Sequence, residues 1–424
     1  MRQINGLGMT VLLGYCFFNL TNVLFLRANA WFVGLWLLGI GSLFVFQRLM
    51  TITRKGFAFP RAEVGGYLLV LLITMVIMTQ PLFITTNLDD EGVDTLANIR
   101  TIWMVSVIWM CAGGAASMFE WKESSLVAVA VAGTLFIAFL LGVGFDGTVA
   151  YQEIRDEATF NASHLTLEKY VIILLAFAYA MSHRTRLIVA LAGMLVLFSM
   201  GGRTALAVFT LTVILLNLRG GRVMRTALAV GVLGVALFFI GRVAVDSGFV
   251  DVQSSEVRDM LFLDGLEEDS SFAGRQALLQ QGLGDLAEQF WIGNFPLTVE
   301  RHGYFSTYIH NLLSAWQFFG FFAFMALSLA LVLCLRRMRQ VMRHAKPTPA
   351  DLFSAFMLIY VVISVVLAKS VMWNLLWFAL GLWLFRASVT SVTRAAGSRK
   401  RRRRRSRPRP DTPSTSAAEQ PVSA

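Results

Sequence analysis

The sequence predicts an all-α integral membrane protein, and two observations carry that expectation. Of its 424 residues, 56% are hydrophobic and only 15% are charged, with a mean hydropathy of +0.63. A soluble chain of this size carries about a quarter charged residues, so the balance excludes an ordinary water-soluble enzyme. The apolar residues also fall in runs, about twelve of which have the length needed to cross roughly 30 Å of hydrocarbon.

In chain order the first six runs are Leu7–Leu26, Trp31–Gln47, Gly65–Thr85, Ile99–Met118, Ser125–Phe145 and Leu165–Ser182. Met1 to Gly6 leads directly into the first, which therefore reads as a membrane helix rather than a cleavable signal peptide. Leu187–Met200 and Arg203–Leu218 are short and separated by Gly201-Gly202, where two glycines allow a tight reversal. Thr226–Val245 closes an N-terminal membrane block over 1–247. A polar segment, 248–308, then breaks the pattern with Asp269, Arg275 and His302. Hydrocarbon demands that backbone polar groups be satisfied internally, so this segment projects into water, with short helices of its own. Ile309–Leu335, Leu352–Ala368 and Val371–Phe385 form a second membrane block over 309–386, whose first helix opens with His310-Asn311.

Residues 387–424 hold a basic run, Arg399 to Arg405, followed by Pro408, Pro410 and a Ser/Thr/Ala-rich end. Such a tail buries no apolar surface and is expected to be disordered. It supplies much of the net charge of +11. Topology and attraction to anionic headgroups account for it better than nucleic-acid binding. Cys16, Cys111 and Cys334 lie inside apolar runs without paired spacing and read as small core residues.

Basic residues assign the orientation. With the N-terminus in the cytoplasm, inner loops carry Arg48, Arg54, Lys55 and Arg61, then Lys122, then Arg184 and Arg186. Arg219, Arg222 and Arg225 follow, then Arg336, Arg337, Arg339, Arg343 and Lys346. Opposite loops hold Asp89, Asp90, Glu91, Asp94, Asp146, Glu153, Asp156 and Glu157. The scheme puts both termini in the cytoplasm. It puts 248–308, Arg203 and His310 on the outer face, periplasmic in a Gram-negative cell.

Three separated stretches thus bring cationic or titratable groups to one boundary. In Ser199-Met200-Gly201-Gly202-Arg203-Thr204 the glycines permit close backbone approach, and Arg203 offers a forked donor suited to phosphate oxygens. The competing explanation is an Arg that snorkels at a helix end. Asp269 or Ser270 is an N-cap candidate for an amphipathic helix over Gln276–Phe290, with Leu278, Leu279, Leu283, Leu286 and Phe290 on its apolar side. Arg275 would then lie near the first turn, where the helix dipole disfavours a cation unless an anion or a carboxylate such as Glu268 or Asp269 accompanies it. His310, one of five histidines, can titrate near neutral pH, bind a diphosphate or take a proton from a hydroxyl. A lone interfacial His is also often structural. The outer acidic residues form no Asp-x-Asp pair and no cluster with ligand spacing, so no metal is expected. There is no P-loop and no G-x-S-x-G elbow.

In these pieces the chain resembles the O-antigen ligase and polysaccharide polymerase superfamily of bacterial envelopes. The matching residues are Gly201-Gly202-Arg203-Thr204, Asp269-x-Ser-x-x-x-Arg275, Ile292-Gly293-Asn294-x-Pro296, and His310-Asn311-Leu312 with the downstream Gly320. The interval from His310 to Gly320 is a residue shorter than the family pattern, and a second glycine near Ala323 is missing. The resemblance covers Ser199 to Phe322 most clearly. It implies a C-type membrane glycosyltransferase of the bacterial inner membrane, without cofactor, that takes a glycan from undecaprenyl diphosphate. For a ligase the acceptor is a lipid A-core oligosaccharide, and for a polymerase it is another lipid-linked repeat. It further implies that Arg203 and Arg275 hold the diphosphate. His310 then binds the diphosphate or acts as base, with Asn311, Asp269 and Lys369 as further substrate contacts. Short loops outside the one large segment favour the ligase. A lipid-linked glycan transporter is the alternative of another class, but mid-span ionisable residues that would favour it are few, Arg242 and Lys369 being the nearest.

Overall fold

The structure, a computed structural model, describes residues 2–22, 31–55, 61–83, 90–117, 121–142, 164–182, 184–200, 203–217, 239, 243, 270–295, 309–343 and 347–385. Among the described residues the regular structure is helical, with no strand. The helices are α1 (Arg2–Thr21), α2 (Trp31–Lys55), α3 (Arg61–Phe83), α4 (Asp90–Ala116), α5 (Ser125–Gly142) and α6 (His164–Met181). They continue with α7 (Arg186–Ser199), α8 (Arg203–Asn217), α9 (Ser270–Glu288), α10 (Ser314–Arg343), α11 (Pro349–Leu367) and α12 (Asn374–Phe385).

Each expected span except Thr226–Val245 coincides with one of these helices; that run lies almost wholly outside the described residues. Ile99–Ala116, α10 and α11 have the length and hydropathy that crossing a membrane requires. Others, such as Leu7–Thr21, Val64–Thr79 and Arg186–Ser199, are shorter apolar helices. Several boundaries differ from those expected. Helix α10 starts later than expected, at Ser314, and α4 starts earlier, at Asp90, which puts Asp90, Glu91 and Asp94 in helix rather than loop. Helix α1 begins at Arg2, α2 runs past Gln47 to Lys55, and α10 runs past Leu335 to Arg343. Apolar length underestimates these helices because long basic side chains extend from a helix end toward water while the backbone stays helical. The three cysteines are free, with Cys16 and Cys334 buried.

Helix α6 is the centre of the bundle. From Val171 to Ala180 all its side chains are buried, as expected for a helix apolar on every side. Helices α1, α5, α7 and α11 pack around it, and α11 also packs on α8. Phe356 of α11 meets Tyr179 of α6 and Phe209 of α8 at ring distances of 5.4 and 5.5 Å. Helices α7 and α8 lie side by side with Gly193 against Phe209, so the chain reverses between them. Gly201 and Gly202, the expected turn, lie outside the described residues. Elsewhere α4 and α12 touch backbone to backbone. A Cβ on Gly113 would stand 2.1 Å from the Phe378 carbonyl oxygen, and one on Gly381 2.0 Å from that of Met110. Small residues permit such approach between membrane helices.

Helix α11 begins where its sequence dictates. Thr348 and Asp351 form a capping box, with Asp351 N–H donating to the threonine hydroxyl at 3.2 Å and Thr348 N–H to the Asp351 carboxylate at 2.9 Å. Pro349 occupies the first turn, where its missing N–H costs nothing.

The bundle has two unlike ends. At one, Arg186 lies over the Tyr179 ring, Arg48 over Phe44 and Phe385, and Arg336, Arg337, Arg339 and Arg343 close α10. Asn217, the last residue of α8, donates to the Tyr179 hydroxyl at 2.8 Å, so α6 and α8 run parallel. The opposite end therefore collects the starts of α6 and α8, the start of α10 and the connection from α11 to α12.

At that opposite end α10 breaks at Gly320, whose φ of 80° and ψ of 176° are not helical. The break would orphan the Gln317 carbonyl and the Phe321 N–H, which a continuous helix would pair with each other. The turn after α9 takes both. Asn294 N–H donates to Gln317 O and Phe321 N–H donates to Phe290 O, each at 3.0 Å. Gly293, φ 72°, lies against this break. A Cβ on Gly320 would stand 2.1 Å from the Trp291 oxygen, and one on Gly293 2.6 Å from the Gly320 nitrogen. Positive φ and missing space both require glycine there. Phe290, Trp316 and Phe321 pack around the joint, and the Trp316 indole donates to Phe290 O at 2.8 Å.

Gly320→Ala is expected to cost well over about 1 kcal/mol, because alanine meets an unsuitable backbone conformation and a filled space. Thermal unfolding of the purified variant in detergent measures this; an unchanged midpoint contradicts the joint.

Candidate functional site

His310 does not open a helix, as its sequence position had suggested; it stands in a turn just before α10. The reason is Asn311, whose carboxamide oxygen accepts from the Leu313 N–H at 2.8 Å and whose carbonyl accepts from the Ser314 N–H at 3.0 Å. Asparagine competes for backbone donors in this way and so delays the helix. Ile309, just upstream, is buried and donates its N–H to Gln317 Oε1 at 3.1 Å. Gln317 in turn donates to the Asp285 carboxylate of α9 at 3.0 Å. The Ser314 hydroxyl donates to Asn311 O at 2.7 Å and accepts from the Val371 N–H at 2.8 Å. One serine thereby ties the His310 turn to the connection between α11 and α12.

Arg275 arrives from α9, which begins at Ser270, so the guanidinium belongs to the second turn rather than the first. The helix docks on a narrow face of Gly282, Asp285 and Leu286. A Cβ on Gly282 would stand 2.3 Å from Ile309, so the glycine lets α9 lie directly on the His310 turn. The expected leucine stripe holds only in part: Leu286 is buried, but Leu283 is exposed. The buried face is small and polar because its partner is a hydrogen-bonded turn rather than a lipid surface. Arg275 itself is exposed.

The electrostatics bring three groups together. Burial, then the Arg275 guanidinium, then the Lys369 ammonium hold the His310 imidazole below its ordinary value. Each disfavours a positive charge on the ring, so His310 is neutral at neutral pH. A neutral imidazole accepts a proton or a hydrogen bond; flanking guanidinium and ammonium groups attract an anion.

Lys369 has partners that the sequence reading did not identify. It donates to Glu168 Oε2 of α6 at 2.5 Å, and the Tyr360 hydroxyl of α11 donates to Glu168 Oε1 at 2.7 Å. The Lys369 and Glu168 side chains are 11% and 3% exposed. The ammonium also lies over the Trp373 ring at 5.4 Å. A carboxylate at the edge of an apolar run looks like the end of a span. The available signal was its place inside one, where ionisable residues usually have a named partner.

Arg203 opens α8 at the same end of the bundle, but its side chain lies outside the described residues, as does Asp269. The structure therefore brings together His310, Arg275 and Lys369, with Asn311 in the same turn. No protein-family model and no curated protein matches this chain.

Lys369→Met leaves the Glu168 carboxylate buried without its cation and is expected to lose about 3 kcal/mol, the scale of a broken buried pair. Chemical denaturation in detergent checks this against wild type; equal stability would mean that the pair is not formed.

Proposed function

We propose that the protein is a membrane glycosyltransferase of the O-antigen ligase kind. It transfers a glycan from undecaprenyl diphosphate to a lipid A-core oligosaccharide on the outer face of a bacterial inner membrane. The observation that carries this reading is the meeting of Arg275, Lys369 and a neutral His310 at the bundle end opposite the arginine-rich one. Under the positive-inside rule that end faces outward. A twelve-span architecture of the C type belongs to the same proposal, as do cytoplasmic termini.

In the proposed reaction the acceptor hydroxyl oxygen attacks the anomeric carbon while the bond from that carbon to the diphosphate oxygen breaks. The hydroxyl proton passes to His310, and undecaprenyl diphosphate leaves. Arg275, with Arg203 by resemblance, neutralises the charge that grows on the departing oxygen, and Lys369 helps to bind the diphosphate. Preorganised donors of this sort contribute about 2.7–4 kcal/mol each where water is excluded. His310 serves better as base than as cation here, because burial and the flanking charges that favour the diphosphate keep the ring neutral.

Purified protein in proteoliposomes, given lipid-linked donor and acceptor without nucleotide or ion gradient, is expected to transfer glycan. No transfer would leave the transporter alternative standing. A strain lacking the protein is expected to accumulate long lipid-linked glycan and lose capped lipopolysaccharide. Single-repeat lipopolysaccharide would instead identify a polymerase. In the transfer assay Arg275→Ala and His310→Ala are each expected to lose roughly a hundredfold or more in rate. Wild-type activity at neutral pH is expected to persist below the ordinary histidine value of about 6.5 and to fall once His310 gains its proton. Arg275→Gln removes a cation that holds the His310 value down, so it moves this acid limb upward; a downward shift contradicts the assignment.

A further inference from the structure

Lys369 lies in the connection that the Val371 N–H ties to the His310 turn through Ser314, and other residues fix its side chain there. Its backbone N–H, like that of Ala368, donates to Ser364 O at 2.8 Å, which winds off the end of α11 and turns the lysine back toward α6. Glu168 then engages it from α6, and Tyr360, two turns earlier in α11, occupies the second carboxylate oxygen. With both oxygens bonded and the side chain almost wholly buried, the carboxylate has little freedom to turn elsewhere. The ammonium carries three donors. Glu168 takes one from the bundle side, and the positive charge still reaches the imidazole.

We propose that Glu168 is a positioning residue for the transfer reaction: with Tyr360 it fixes the Lys369 ammonium at the edge of the His310–Arg275 site, where the ammonium holds the donor diphosphate. This inference rests on the function proposed above and adds two residues to it. Arg275 and Lys369 would repel one another in the absence of a ligand, and Glu168 offsets that repulsion so that the site stays assembled before the donor arrives. The carboxylate remains clear of the reacting atoms and acts through the lysine.

The test compares wild type, Glu168→Gln, Lys369→Met and the double variant in proteoliposomes. It reads kcat and KM for the undecaprenyl-diphosphate-linked donor together with thermal stability. Losing one charge-assisted contact is expected to raise donor KM about tenfold in Glu168→Gln and in Lys369→Met alike. The double variant is expected to regain stability, because no buried charge is left alone, while its donor KM stays where Lys369→Met put it. A donor KM unchanged in Glu168→Gln overturns the inference, whatever happens to stability. So does a KM that returns to the wild-type value in the double variant, since the pair would then serve folding alone. If wild type itself transfers no glycan, the functional reading fails and this inference goes with it. Transfer by wild type with an unaffected Glu168→Gln defeats only the inference.

Discussion

The His310 end of the molecule depends on one interruption: α10 stops pairing with itself at Gly320 and pairs with the turn after α9 instead. Two backbone hydrogen bonds, from Asn294 to Gln317 and from Phe321 to Phe290, replace the one that the break removes. Near a membrane such replacement is obligatory, because an unsatisfied peptide group there costs several kcal/mol. The exchange needs two backbones almost in contact, and Gly293 and Gly320 are what let them approach. Their joint fixes where α9 lies, and so where Arg275 stands relative to His310.

Around that joint the charges follow an ordered logic. Glu168 and Lys369 form a buried pair that links α6 to the connection after α11. Ser314 then links that connection to the His310 turn through the Val371 N–H. Partial burial, and after it the charges of Arg275 and Lys369, hold the His310 imidazole neutral, and an anion would offset those two charges. Under the proposed function one field would prepare both the proton acceptor and the anion-binding groups that displacement of a lipid diphosphate needs.

Much of this was legible in the sequence, and what escaped has physical causes. Apolar runs located the helices because burial and lipid both reward long stretches of apolar side chain. They misjudged the ends of α2 and α10, where Lys55 and Arg343 continue the helix beyond the apolar part. Gly293 and Gly320 were visible as motif glycines, yet nothing in the spacing said that they touch. Contact between residues distant in sequence is a property of packing. His310 was legible as a boundary group, but its place in a turn depended on how the Asn311 side chain is used. Glu168 was missed for the same kind of reason: one carboxylate in an apolar run gains its meaning only from Tyr360 of α11 and Lys369 of the connection after it.

The most direct test of the central claim is a structure of the protein with a bound prenyl diphosphate in a lipid nanodisc. The account predicts phosphate oxygens within hydrogen-bonding distance of the Arg275 guanidinium and Lys369 ammonium, with the His310 imidazole beside them. A diphosphate held elsewhere on the protein, with these three side chains untouched, contradicts it.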